Sequence, residues 1–247
     1  PNLFMEEAKL KDEKVYVSLV TPTYNERENI PILVEEIFTV VGSYPDIDLE
    51  LIIVDDNSPD GTGEVAEKLR TDYPVDVIHR AGKLGLGSAV MEGFARSKRD
   101  FIGVIDADLS HDPIILPDLI RGLKKYDVTI GSRFGDTSKV EKWAFHRRLT
   151  SLTGVGLARM LTGVEDPLSG YFFLRRDCLG DLSLTSAGYK VLFEILVKGC
   201  VRNHFSIPFV FRNRQYSNSK LNVREYLLFA KQLLYFAVYK LTSKIKG

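Results

Sequence analysis

Short runs of β-branched and other apolar residues alternate with amphipathic stretches through the first half of the chain. Val15–Thr21 is followed by a helical pattern from about Glu28 to Val41. Leu49–Val54, a helix over Gly61 to Arg70, Val75–His79, a helix over Leu86 to Ala95 and Phe101–Ile105 come next. Strand, amphipathic helix and strand make a βαβ unit, and a series of such units implies an α/β protein. Its central sheet is mostly parallel, with helices on both faces. A helix over Pro113 to Lys124 and a strand over Val128–Ser132 continue the series. Past Gly135 the pattern loosens into a helix over Trp143–Leu161, an apolar run Tyr171–Leu174, a helix over Tyr189–Lys198, a strand Phe205–Phe211 and a long helix from about Val223. With no Ser/Gly-rich linker and no internal repeat, residues 1–222 read as one α/β domain and 223–247 as an appended apolar and basic helix.

Composition removes several classes. Of 247 residues, 45% are hydrophobic and 27% charged, with 33 basic and 33 acidic side chains, which is neither disordered, collagenous nor disulfide-stapled. Cys178 and Cys200 have no Cys-x-x-Cys or Cys/His spacing, so neither a zinc site nor a disulfide is expected, and a reducing cytoplasmic setting is. No apolar leader follows Pro1, so no signal peptide is expected. The balanced charge conceals an asymmetry: residues 1–120 carry 24 acidic and 11 basic side chains, the remainder 9 and 22. The second half is therefore a candidate surface for an anion, unless the two signs interleave in space. Without interleaved Arg and aromatic residues or a binding motif, nucleic acid is not an expected partner.

In an open parallel sheet, the loops at the carboxyl ends of the strands collect the ligand. Here strand one runs into Pro22-Thr23-Tyr24-Asn25-Glu26, strand two into Asp55-Asp56-Asn57-Ser58-Pro59-Asp60-Gly61 and strand four into Asp106-Ala107-Asp108. Taken alone, the second cluster reads first as a turn that caps the next helix. The third does not, because carboxylates at i and i+2 repel unless a cation lies between them. Mg²⁺ and Mn²⁺ want such oxygen donors and take further oxygens from a diphosphate.

Other readings stand beside this one. Phosphatases of the haloacid dehalogenase type place Asp-x-Asp after a strand, but after the first, followed by Thr or Val; here Leu109-Ser110 follow strand four. Gly82-Lys83-Leu84-Gly85-Leu86-Gly87 has neither dinucleotide-binding nor Walker spacing. It reads equally as a flexible helix start and as a close backbone approach to a ligand. Arg133, Arg147, Arg148, Arg212, Arg214 and Lys220 are each unremarkable as surface charges, but guanidinium forks bind phosphate oxygens in pairs. No His is placed beside a carboxylate in the manner of a dyad, and His111 is expected to support the Asp pair or the start of the next helix.

Pro-Thr-Tyr-Asn-Glu, Val-Asp-Asp-Asn-Ser-Pro-Asp-Gly-Thr, Gly-Leu-Gly-Ser-Ala, Asp-Ala-Asp-Leu-Ser-His, Gly-Ser-Arg-Phe, Ser-Gly-Tyr-Phe and Ser-Lys-Leu occur in that order between about Val15 and Leu221. This succession resembles the inverting family-2 glycosyltransferases, and within them the dolichyl-phosphate mannose synthases. The resemblance implies a GT-A fold, a GDP-mannose donor, a divalent metal, Mg²⁺ or Mn²⁺, and a dolichyl or polyprenyl phosphate acceptor. By motif it assigns Pro22, Tyr24, Glu26, Asp56 and Gly85 to the donor nucleotide. Asp106 and Asp108 would hold metal and diphosphate. Some relatives place a third ligand where this chain has Ser110. Arg133, Arg147, Arg214 and Lys220 match phosphate-binding positions, and Ser217 stands where relatives often have glycine.

A phosphate monoester has its second pKa at about 6 and needs no strong general base. The work left to the protein is to neutralise two anions and a leaving diphosphate, which a metal and an Arg/Lys clamp do. A lipid acceptor implies a membrane surface. Tyr226 to Leu241 is apolar but interrupted by Lys231 and Lys240, short of the roughly 20 residues a span requires, so it reads as an interfacial helix or as a core-packing one. Small membrane-anchoring subunits and the cytoplasmic face of the endoplasmic reticulum or plasma membrane are the corresponding expectations. The same fold acting on UDP-glucose, a haloacid-type phosphatase and a non-catalytic subunit are the alternatives.

Overall fold

In the computed structural model, residues 14–134, 155–180, 190–212 and 223–245 are described. The expected alternation is present: β1 (Val15–Thr23), α1 (Asn29–Val41), β2 (Ile47–Asp55), α2 (Thr62–Leu69), β3 (Val75–His79), α3 (Leu86–Arg96) and β4 (Phe101–Val104). A 3₁₀ turn Pro113–Ile115 leads into α4 (Leu116–Gly122), followed by β5 (Val128–Ser132), helix α5 (residues 155–162) and β6 (Phe172–Arg175). A second 3₁₀ turn, Arg176–Leu179, precedes α6 (Val191–Lys198), β7 (His204–Pro208) and α7 (Val223–Ile245).

The strands form one sheet in the order β3-β2-β1-β4-β6-β5-β7. Every pairing is parallel except those of β6, which runs antiparallel to both β4 and β5. Helices cover both faces, which is why β1 and β2 read as apolar runs rather than alternating strands. On one side Leu19, Leu51 and Phe173 pack with Leu33 and Ile37 of α1 and with Leu119 of α4. On the other Val20, Ile52, Ile102 and Ile130 pack with Val90 and Phe94 of α3 and with Leu192 of α6. Each such side chain, fully removed from water, contributes about 1.5–3 kcal/mol. Gly93 lets α3 settle on the sheet, since a Cβ there would come within 2.4 Å of Val20 Cγ1.

Most element ends shift by one or two residues from the sequence reading, and three elements differ more. The helix over Pro113 to Lys124 is broken into a 3₁₀ turn and a shorter α-helix, because Pro117 has no N–H to continue the ladder. The strand expected to reach Phe211 ends at Pro208, level with the end of its partner β5. Of the helix over Trp143–Leu161, residues 155–161 are helical and 143–154 lie outside the described residues. The charged halves do interleave: Arg121 pairs with Asp46 at 2.5 Å, and Arg212 with Glu36 and Asp112 at 3.0 Å.

No helix among the described residues is long and apolar enough to cross a membrane. On α7, Phe236 is buried against Phe193 with ring centroids 5.1 Å apart, while Leu234, Tyr235 and Val238 are exposed. One face therefore packs, as the core reading expects, and another is left apolar to solvent.

Candidate active site

The carboxyl ends of β1, β2 and β4 are adjacent, so the three polar clusters meet at one edge. The loops are tied together by backbone: the Asp56 N–H donates to the Thr23 carbonyl (3.0 Å), and Ile105 N–H to that of Val20 (3.1 Å). Each loop also contains one non-glycine residue in the left-handed region, Asn25 (φ 59°), Asn57 (φ 55°) and Leu109 (φ 61°). Asn tolerates that conformation, whereas for Leu109 it costs about 1–2 kcal/mol. Backbone strain of this kind collects where a turn must aim its side chains.

The two adjacent aspartates after β2 do different things. Asp55 accepts from Ser58 N–H (3.0 Å) and Oγ (2.5 Å) and from Thr23 Oγ1 (3.2 Å), closing the turn, and Asp60 caps α2 by accepting from Thr62 N–H at 3.0 Å. The cluster thus closes the turn and serves the first N–H of α2 from one residue ahead of the N-cap, which is Gly61. Asp56 takes no part in this. One of its oxygens is ion-paired to Arg80, and the other accepts from Gly85 N–H at 2.9 Å. Arg80 is itself buried and reaches Glu92 (2.8 Å) and Ser88 (2.7 Å) on α3.

Gly85, with φ 102°, is the N-cap of α3, the helix start expected of the glycine-rich stretch, and its N–H reaches across to Asp56. On the same loop Lys83 Nζ lies 3.9 Å from the Tyr24 ring centroid. Pro22 is half-buried on β1 opposite Val54, and Glu26 accepts from Asn29 Nδ2 at 2.6 Å at the start of α1.

After β4, Asp108 is buried and its Oδ1 accepts from both the backbone N–H (3.1 Å) and Oγ (2.5 Å) of Ser110. The Asp106 side chain is 31% exposed, and Gly170 faces it: a Cβ at that position would sit 2.6 Å from Asp106 Oδ2. His111 is enclosed by Tyr171, Phe209 and Phe211, with ring centroids 5.2, 5.5 and 5.9 Å away. Its Nδ1 accepts from Asp106 N–H at 3.4 Å and stands 3.9 Å from Asp106 Oδ2. Burial lowers the His111 pKa, outweighing the pull of Asp106 and Asp108.

A second such neighbour is His79, whose Nε2 is 3.0 Å from Glu67 Oε1. Two histidines therefore do stand beside carboxylates, contrary to the sequence reading. The pairs join residues 5 and 12 positions apart, brought together by a turn and by a strand docking on its helix. His79–Glu67 is exposed, and His111 has the supporting position expected of it.

Arg133, at the end of β5, donates from Nε and Nη2 to the fully buried Asp166 (both 2.8 Å). Burial alone would lower the guanidinium pKa, but Asp166 and, further off, Asp106 raise it. The Asp166 carboxyl is held low, because Arg133 outweighs the effect of burial. Arg147, Arg148, Arg214, Ser217 and Lys220 lie outside the described residues. Sequence reasoning missed Arg80 and Asp166 and gave Gly170 no role, although it lies in the Ser-Gly-Tyr-Phe motif. Arg80 carries a weak signal, a basic residue directly after a strand, but nothing local marks Asp166.

An all-oxygen donor set of two carboxylates with a hydroxyl suits a hard divalent ion that completes its shell from a ligand's phosphates. Among the described residues no cluster of three His, Cys, Asp or Glu forms a self-sufficient site. The space Gly170 leaves against Asp106 fits the first arrangement.

The sequence profile of glycosyl transferase family 2 matches residues 18–183. The chain is 40% identical over 220 residues to a dolichol-phosphate mannosyltransferase of Pyrococcus furiosus, covering 85% of this chain and 61% of that one, so it spans less than two thirds of that relative. It is 34% identical over 233 residues to the dolichol-phosphate mannosyltransferase of Saccharomyces cerevisiae, with 90% and 87% covered. A solved glucosyl-3-phosphoglycerate synthase from Mycobacterium tuberculosis, in complex with Mn²⁺, uridine diphosphate and glucosyl-3-phosphoglycerate, superposes with TM-score 0.69 at 20% identity, covering 97% of this chain and 85% of that one. At that identity the likeness shows the fold alone, which is GT-A.

Proposed function

The chain belongs to glycosyl transferase family 2, and on that premise we propose that it transfers mannose from GDP-mannose to a dolichyl or polyprenyl phosphate, with inversion at the anomeric carbon. The names of its relatives support the product class. The observation that carries the reading is the meeting of Asp56 with Asp106 and Asp108 at one sheet edge. Asp56 is held there by Arg80 and the Gly85 N–H, and Asp108 by Ser110, so carboxylates from two loops are fixed along one edge.

Pro22, Tyr24 and the Gly85 backbone wall the nucleoside, and Asp56 is held at its floor. Asp106 and Asp108, with Ser110 bracing Asp108, would hold a Mg²⁺ or Mn²⁺ ion, which supplies Lewis-acid stabilisation of the departing diphosphate. Arg133 is fixed by Asp166 beside Asp106, where its charge offsets the anions that gather there. Arg147, Arg214 and Lys220 are proposed for the acceptor phosphate. No residue need act as a strong base, because the acceptor is already anionic near neutral pH.

The exposed apolar residues of α7, Leu234, Tyr235 and Val238, with Lys231 beside them, suit a membrane interface, whereas Lys240 is turned inward to the Leu161 carbonyl. We place the enzyme peripherally on the cytoplasmic face, at the endoplasmic reticulum in a eukaryote or the plasma membrane in a prokaryote, where small anchoring subunits are compatible partners. Incubation with GDP-mannose, Mn²⁺ and a short polyprenyl phosphate should yield a mannosyl lipid of β configuration. Transfer from UDP-glucose instead would move the assignment to the glucosyl reading, and no transfer from either donor would overturn both.

A further inference from the structure

Asn29, the first residue of α1, is 1% exposed. A buried carboxamide wants partners for its oxygen as well as for its N–H groups. Here Nδ2 donates to Glu26 Oε2 at 2.6 Å, whereas Oδ1 has no hydrogen-bond partner among the described residues. The carboxylate sets this orientation, since the reverse would place oxygen against oxygen. On stability alone leucine would serve better at this position. It has nearly the same branched outline, a higher helix propensity and no polar atom to desolvate.

What the amide holds is Glu26, which is fixed at each of its polar groups. The Glu26 N–H donates to Thr62 Oγ1 at 3.0 Å, the carbonyl accepts from the N–H groups of Asn29 and Ile30, both at 3.0 Å, and the carboxylate accepts from Asn29 Nδ2. Thr62 is fully buried and is itself anchored, donating from Oγ1 to Asp60 Oδ1 at 2.6 Å. On either side of Glu26, Asn25 N–H donates to Ser58 Oγ at 3.0 Å and Arg27 N–H to Asp60 Oδ2 at 3.3 Å. Three successive backbone N–H groups after β1 are thus tied to side chains of the stretch Asp56–Thr62, and the left-handed Asn25 heads the run. A carboxylate held in this way accepts N–H or O–H groups along a preset direction, which removes an ordering cost from binding.

We propose that Asn29 is a positioning residue, which aims the Glu26 carboxylate at a bound nucleoside diphosphate while Thr62 fixes the backbone beneath it. The inference rests on the placing of Glu26 in the donor-nucleotide site. It also gives the desolvated Asn29 oxygen a cause: the helix start carries a buried amide because Glu26 must point in one direction.

Asn29→Leu separates positioning from packing. Binding of GDP in the presence of Mn²⁺ should weaken about tenfold or more, the scale of a small misplacement, while the melting temperature stays at or above that of wild type. In turnover, the KM for GDP-mannose should rise and the KM for a short polyprenyl phosphate should not. Because Asn29 acts through Glu26, Asn29→Leu should add nothing to the loss already caused by Glu26→Ala. Asn29→Asp keeps the outline but sets a second carboxylate against Glu26; it should weaken GDP binding at least as much, and it carries the test if Asn29→Leu does not fold. Wild-type GDP affinity in either variant overturns the proposal, as do losses from Asn29→Leu and Glu26→Ala that simply add. If the wild-type chain binds UDP in place of GDP, the mannosyl reading fails on its own and the same comparisons made with UDP decide the role of Asn29. If it binds neither nucleotide, the donor-site reading is overturned and this proposal with it.

Discussion

Arg80 and Asp56 form a buried ion pair in which the carboxylate is held at both oxygens, one by the guanidinium and one by the Gly85 N–H. The side chain proposed to hold the nucleoside is thus preset by a residue one position past β3 and by a loop backbone. Removing Arg80 strands a carboxylate that is only 6% exposed. Arg80→Met should destabilise the protein by about 3–5 kcal/mol in urea unfolding, the cost of breaking a buried pair from one side. A loss below about 1 kcal/mol would mean that Asp56 finds water or another donor.

Asp108→Asn and Gly170→Ala attack the carboxylate turn differently. Asn keeps an oxygen to accept from Ser110, so the fold should persist while turnover falls by at least about 10²-fold, as expected where charge stabilisation in the transition state is removed. Normal turnover in that variant would exclude Asp108 from metal binding. Alanine at Gly170 would push its Cβ against Asp106 Oδ2, which must rotate away. The expected result is a raised Mn²⁺ requirement with nearly unchanged melting temperature, read from activity across a metal titration.

The Arg133–Asp166 pair makes acid sensitivity testable. The Asp166 pKa is lowered by Arg133 in spite of burial, so its contribution is fully present above the ordinary value of 3.8 and is lost as pH falls through the folded value. Urea unfolding of wild type and Asp166→Asn should differ most above about pH 5, and the gap should close below the usual carboxylate range. A gap independent of pH would assign the effect of the substitution to packing.

Cys178 is buried and Cys200 exposed, and burial pushes the Cys178 thiol up to about 12. They are neighbours even so, with Cys200 N–H donating to the Cys178 carbonyl at 2.9 Å. At pH 8 a disulfide reagent should titrate one thiol in the native protein and two after denaturation. Rapid loss of both from the native state would show that the 3₁₀ turn after β6 opens readily.

The parallel half of the sheet was legible because periodicity reports burial on two faces, and Val75–His79 and Val128–Ser132 match their strands residue for residue. The donor side of the site was legible for the same reason: Asp56, Asp106 and Asp108 directly follow strands, so knowing the strands gives the edge. Asp166, and the place of Gly170 against Asp106, were not, because both reach that edge only through the reversed direction of β6, and strand direction leaves no mark in Phe172–Arg175. Arg212 was visible as a charge, but its partners lie 176 and 100 positions away in sequence.

Because β6 runs against its neighbours, the chain between Ser132 and Phe172 departs from and returns to the same rim of the sheet. In a parallel crossover those residues would have to travel the length of the sheet, and their number would be fixed by that distance. Here it is not. Lengthening a closed excursion costs little, about 0.6 kcal/mol per doubling. The number of residues between Arg133 and Asp166 is therefore free to change while the register of the seven strands stays as it is, provided that these two and Gly170 keep their places at the rim.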